Sequence, residues 1–210
     1  EVPHAPHFAA TARPWPGGVA LVSGVEDADH RLNLVQSLPA TIGTSLTALY
    51  DWPARVGRRL ESCLGGPVRV TKLARPGASV AWGREQVAAV LASDPDIVLV
   101  EFTINDSDLR DGLGAATSRA LHLELVGALR RSRSRPGLAI GLMTMSPARG
   151  PRGWLRPRLG ARYREYRLLA QEAGLGLIDL YPRWMALPRS DRTNATKSAA
   201  SSDCASAAIG

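Results

Sequence analysis

The chain has 210 residues, enough for one domain with a sizeable core, and its 45% apolar and 21% charged residues fit a globular protein better than a low-complexity or fibrous one. No apolar run reaches the length of a membrane-spanning helix, which excludes a transmembrane segment. The net charge of +7 comes from arginine, concentrated in RRSRSRPG (130–137) and ARGPRGWLRPRLGARYREYR (148–167). Such a charge suits a patch for acidic polymer, membrane surface or nucleic acid, or solvated helix faces in an arginine-rich chain. No nucleic-acid motif accompanies it, which favours the second and argues against a specific nucleic-acid partner.

Residues 1–17 carry four prolines and no periodicity, and predict an extended arm. GGVALVSGV (17–25) and RLNLVQSL (31–38), separated by EDADH, predict a short β-hairpin. From Pro39 a regular alternation begins. Strands are predicted at 38–43, 67–73, 96–102, 137–145 and 174–180; those rich in Val, Ile and Leu suit parallel strands buried on both faces. Helices are predicted at 53–64, with Pro53 in its first turn, and at 81–93, 116–131 and 155–173. Leu121, Leu125 and Leu129 form the expected buried stripe of the third helix, and Leu159, Tyr163, Tyr166 and Ala170 that of the fourth. Cys63 lies in an apolar helical pattern and is expected in the core; Cys63 and Cys204 lack metal-ligand spacing. After Pro188 the pattern fails, and 189–210 reads as a disordered tail. The expected organisation is therefore an arm and hairpin over 1–38, an α/β domain over 39–188 and an irregular tail over 189–210. The chain begins at Glu1, as expected if an upstream segment has been removed, and the compartment (cytoplasmic, periplasmic or secreted) stays open.

In a parallel α/β sheet, ligands bind at the carboxyl ends of the strands. Ser45 follows the first strand of the domain, LARPGAS (73–79) follows the second, and FTINDSD (102–108) puts Asn105 and Asp106 after the third. Each is also what a strand-to-helix turn uses for capping. Together, on successive strands, they suit acyl transfer. Ser45 Oγ would attack an ester carbonyl, and the backbone N–H groups of Ser45 and Gly77 with the Asn105 amide would meet the new negative charge. Asp106 is assigned to the turn, where its carboxylate can accept backbone N–H groups. GTSLT lacks the second glycine of a G-x-S-x-G elbow, because Thr47 stands in its place.

IGTSLTALYDWP, ARPGAS and FTINDSDL resemble the first three blocks of the SGNH (GDSL-type) hydrolases, and the resemblance continues through MTMSP and LIDLYPRW. It implies a three-layer α/β/α fold with a flavodoxin-like parallel sheet. It implies Ser45 as nucleophile, with Gly77 and Asn105 in the oxyanion hole. It also implies metal-free, cofactor-free hydrolysis of a small-molecule or carbohydrate ester. Acyl group, alcohol and oligomeric state stay open.

One block departs from the family. Its Asp-x-x-His, usually followed by Pro, supplies the base near the C-terminus; here Asp203 stands near the aspartate's place and Ser206 in the histidine's. A serine cannot act as a general base near neutral pH. The histidines present are His4, His7 and His30, before the nucleophile, and His122, expected to be a structural histidine on a helix. Activity is therefore expected to be impaired, or absent in a silent binding protein that keeps the pocket. A shifted reading frame would explain the loss: Ser201-Ser202-Asp203, written TCA TCC GAC, contains CAT CCG, His-Pro, one base later.

Overall fold

The computed structural model describes residues 39–131 and 137–188. The predicted arm, hairpin and tail lie outside the described residues. Five strands form one parallel sheet: β1 (Pro39–Gly43), β2 (Thr71–Ala74), β3 (Ile97–Glu101), β4 (Ala139–Thr144) and β5 (Gly176–Asp179). Their order, β2-β1-β3-β4-β5, is the flavodoxin-like order, with the chain reversing direction across the sheet at β1/β3.

Between the strands lie α1 (Ser45–Ala48), α2 (Trp52–Leu64), α3 (Val80–Glu85), α4 (Val87–Ala92), α5 (Thr103–Asp106), α6 (Ala115–Arg130), α7 (Pro151–Trp154) and α8 (Leu159–Glu172); α9 (Tyr181–Ala186) follows β5. Alternation along the strands sorts the core into two layers. Ala40, Ile42, Val98, Val100, Ile140 and Leu142 point to one face, where Val80, Val90, Leu125, Leu129, Tyr166 and Leu169 from α3, α4, α6 and α8 cover them. Leu99 and Met143 point to the other, against Trp52 at the start of α2. Helices on both faces of a parallel sheet make the three-layer α/β/α fold.

The predicted second strand pairs only over its last residues. Segment 67–70 leans on α2 instead: Val68 N–H donates to Glu61 Oε1 at 3.1 Å. The predicted helix 81–93 breaks at Gln86 into α3 and α4, and the fourth helix starts at Leu159, after Pro157, with the separate turn α7 before it. The stripe of α6 runs through Ser118, His122, Leu125, Val126 and Leu129, with Leu121 only half-buried; that of α8 is as expected. Cys63 is exposed, not in the core, because the apolar face of α2 turns Val56 and Leu60 rather than Cys63 inward.

Candidate active site

The first strand end is a turn held from below. Thr44 caps α1, its Oγ1 accepting the Leu46 N–H at 3.2 Å, so Ser45 is the first helical residue and half-buried. In register with Gly43 on the neighbouring strand stands Glu101, 2% exposed. Its Oε1 accepts the Thr44 N–H at 2.8 Å, the Thr44 hydroxyl at 2.8 Å and the Thr47 hydroxyl at 2.7 Å; Oε2 lies 3.0 Å from Thr44 Oγ1. A carboxylate thus grips the residues on both sides of Ser45. Burial pushes the Glu101 carboxyl up from 4.5 to about 7, against those hydrogen bonds, which favour the charged form. Gly43 has to be glycine here: a Cβ would come within 2.5 Å of Glu101 Oε1 and 2.8 Å of its Cδ and Cγ.

The second strand end is the turn Arg75–Ala78, closed by Ala78 N–H to Arg75 O at 3.1 Å. Pro76 followed by Gly77 at φ +78° is the pattern of a type II turn, which needs a left-handed residue in third place. No atom lies within 4 Å of a Cβ built on Gly77, so conformation and not crowding selects the glycine. Its N–H takes no part in the closing bond and the residue is exposed. Arg75 N–H donates to Gly43 O at 3.2 Å, which ties this turn to the first.

The third strand end is α5. Asn105 is half-buried and its Nδ2 donates to Ala78 O at 2.9 Å. An amide nitrogen has two hydrogens, so one remains for a ligand. The next residue, Asp106, is buried, and its Oδ1 accepts the Val80 N–H at 3.1 Å. Asn105 and Asp106 therefore hold both ends of segment 78–80. Asp106 Oδ2 accepts the Ser118 hydroxyl at 2.7 Å, and burial pushes its carboxyl up to about 6. From outside, Arg156 donates to Ile104 O at 2.7 Å and pairs with Asp108 at 2.8 Å. Hydrogen bonding and charge from Arg110, with Arg156 adding charge, hold the Asp108 carboxyl below its usual range. Strand register places Gly43 beside both Ala74 and Glu101, so Ser45, Gly77 and Asn105 each stand just past the same edge of three adjacent strands.

His122, the one histidine among the described residues, is 1% exposed on α6. Its Nδ1 lies 2.8 Å from Ser118 O, to which it donates, and its ring meets Tyr166 edge-on at 4.9 Å and Phe102 at 6.5 Å. Burial pulls its pKa down to about 4, so it is neutral near pH 7. Its Nε2 is buried with no hydrogen-bond partner among the described residues, and it is the burial of the ring and the lack of any hydrogen bond to Ser45, not the engaged Nδ1, that make it a structural histidine. Ser45 Oγ has no hydrogen-bond partner among the described residues. A cavity of about 20 Å³ beside His122, Asp106 and Arg162, and another of about 200 Å³ along Asp106–Gly114, are lined by neither Ser45 nor Asn105. The sequence reading missed Glu101, whose one signal was a carboxylate ending an apolar strand in DIVLVEF.

A flavodoxin-like sheet with a capped serine after β1, a left-handed glycine after β2 and an asparagine after β3 is the framework of a hydrolase of the SGNH type. Residues 37–199 match the model of the GDSL-like lipase/acylhydrolase family, and the chain belongs to that family of ester hydrolases. The match ends before Asp203 and Ser206. No curated protein matches the chain in sequence. Among solved structures it is similar to the lipase/acylhydrolase from Enterococcus faecalis, at 22% identity over 74% of this chain and 82% of that one, with a TM-score of 0.64. A catalytic mutant of an acetylxylan esterase from Geobacillus stearothermophilus aligns at 18% identity over 73% and 82%, with a TM-score of 0.58. The SGNH-hydrolase family esterase AlinE4 aligns at 24% identity over 74% and 82%, with a TM-score of 0.55.

Proposed function

We propose that the chain hydrolyses carboxylic esters of small molecules or carbohydrates through an acyl-enzyme on Ser45. The observation that carries this is the hydrogen bond from Asn105 Nδ2 to Ala78 O, which locks the third strand end onto the Gly77 turn beside Ser45. Ser45 Oγ attacks the ester carbonyl. The N–H groups of Ser45 and Gly77 and the remaining Asn105 hydrogen receive the oxyanion. The alcohol leaves with a proton, and water then releases the acid and restores the serine.

Among the described residues, none is placed to remove the Ser45 proton. His122 is buried and makes no hydrogen bond to Ser45, and Ser206 stands where the family has its histidine. Turnover is therefore slow. Loss of triad members in a serine hydrolase leaves roughly 10³–10⁴-fold catalysis over water, from binding and the oxyanion hole. The alternative, favoured by Ser206, is a silent protein that binds the ester without cleaving it.

Turnover of p-nitrophenyl acetate decides between them. Weak hydrolysis lost in Ser45→Ala supports the acyl-enzyme, and binding without hydrolysis supports the silent protein. Robust hydrolysis untouched by Ser45→Ala removes the mechanism. Sequencing the gene across codons 190–210 tests the shifted frame: an alternative frame encoding Asp-x-x-His is expected, and restoring it should raise turnover by orders of magnitude.

A further inference from the structure

The three most exposed large apolar side chains among the described residues are Trp154 at 78%, Leu49 at 71% and Leu109 at 67%, with Tyr50 beside Leu49 at 50%. All four lie on segments between the carboxyl end of a strand and the helix that returns along the sheet. Leu49 and Tyr50 precede α2, Leu109 precedes α6 and Trp154 precedes α8. They therefore share one end of the molecule, the end that carries Ser45.

The segments are also packed together. Leu46, Ile104 and Ala148 from these same stretches meet Leu159 and Tyr163 in one apolar cluster, and Leu109 N–H donates to Leu155 O at 2.9 Å. Exposed apolar residues scattered singly need no explanation, but a set gathered on one rim does. Exposed cations at this end include Arg152 and Arg158, with Arg75 over the Trp82 ring at 5.0 Å and Arg149 over the Trp184 ring at 6.0 Å, whereas the exposed carboxylates on the same segments are Asp51 and Asp111. Arg110, also exposed, is already paired with Asp108.

We propose that this rim docks on an anionic bilayer surface, with Trp154, Leu109, Leu49 and Tyr50 entering the headgroup region and the arginines meeting lipid phosphates. A soluble polyanion would use the arginines and leave the apolar side chains in water. A bilayer takes both, because indole and phenol rings sit at the boundary between headgroups and acyl chains while guanidinium groups stay among the phosphates. None of the described helices is long and apolar enough to cross a membrane, so the contact is peripheral. The proposal does not depend on the chemistry of Ser45, but it would set the mouth of that site against the lipid.

The test is co-sedimentation of the full chain with vesicles of phosphatidylcholine alone or equimolar with phosphatidylglycerol. Binding to the anionic vesicles only, weakened by added salt, is expected. Trp154→Ala with Leu109→Ala should weaken it on the order of tenfold, and Arg152→Ala with Arg158→Ala by a similar factor. Both pairs are on the surface, so unchanged circular dichroism is expected, and either pair alone tests the idea. Absence of binding at low salt would overturn it. So would vesicle binding indifferent to the apolar pair but competed by dextran sulfate, which would mean a polyanion site. Trp154-dependent self-association without vesicle binding would mean that a second copy covers the rim, and would overturn it too.

Discussion

Glu101 takes three hydrogen bonds from Thr44 and Thr47, so the position of Ser45 between them depends on a carboxylate that never meets solvent. Space for that carboxylate comes from Gly43. Gly43→Ala would drive a methyl group into a bonded, buried group that cannot swing away. Overpacking of this kind costs about 1–3 kcal/mol, and a matching loss of urea stability is expected for the variant. For Asn105→Ala, removal of one oxyanion donor should lower kcat on p-nitrophenyl acetate about 10²–10³-fold with KM little changed. The places of Ser45, Gly77 and Asn105, just past the ends of β1, β2 and β3, were legible because each follows directly on an apolar strand run; of the three, only Gly77 is demanded by its backbone, at φ +78°. Glu101 was not, since a single acidic residue at a strand end carries no spacing to recognise. Asp106 was half-legible. It accepts a backbone N–H as expected, but from Val80 at the start of α3, which no local pattern reveals.

All five strands from Pro39 on were visible as short strand-like runs, most plainly β3 and β4, which are buried on both faces and so nearly continuous in apolar residues. β2 was the least well bounded, as an edge strand has one partner only and its first half found a helix instead. The helix turns α1, α5 and α7 were not foreseen, since four residues are too few to show a period of 3.6. Yet two of them hold Ser45 and Asn105. The packing of α3 against Phe102, just past β3, rests on another detail that periodicity does not carry, because the Phe102 ring fills the space where Gly83 would bear a Cβ. Ala favours a helix interior over Gly by roughly 0.5–1 kcal/mol, whereas overpacking a core costs about 1–3 kcal/mol. The clash wins, so Gly83→Ala should lower the urea midpoint with its slope unchanged.

At the scale of the whole molecule, burial shifts Glu101, Asp106 and His122 so that folding is linked to pH between about 4 and 7. Glu101 titrates near 7 in the fold and at 4.5 in the reference state, so between those values the folded chain holds the extra proton. Stability from that proton is fully present below about pH 4.5 and is lost as pH rises through about 7. Asp106 has the same sign between 3.8 and about 6. His122, neutral in the fold down to about 4 against 6.5 outside it, has the opposite sign, and protonation would destabilise the fold as pH falls. Asp106 Oδ2 and His122 Nδ1 are 3.9 Å apart, and their opposing effects largely offset each other. Glu101 is left to set the slope. Raising a buried carboxyl from 4.5 to about 7 corresponds to on the order of 3 kcal/mol. Glu101→Gln removes the titration and keeps the shape, so the comparison isolates this one group from every other carboxylate in the chain. Urea unfolding of both proteins should show the variant gaining on the native chain by on the order of 3 kcal/mol as pH rises from about 4.5 to 7, and staying level above about 8. A constant difference across that range would mean that Glu101 does not carry its proton into the neutral region. The Thr44–Thr47 turn would then be gripped by a fully ionised carboxylate at every pH where the protein is folded.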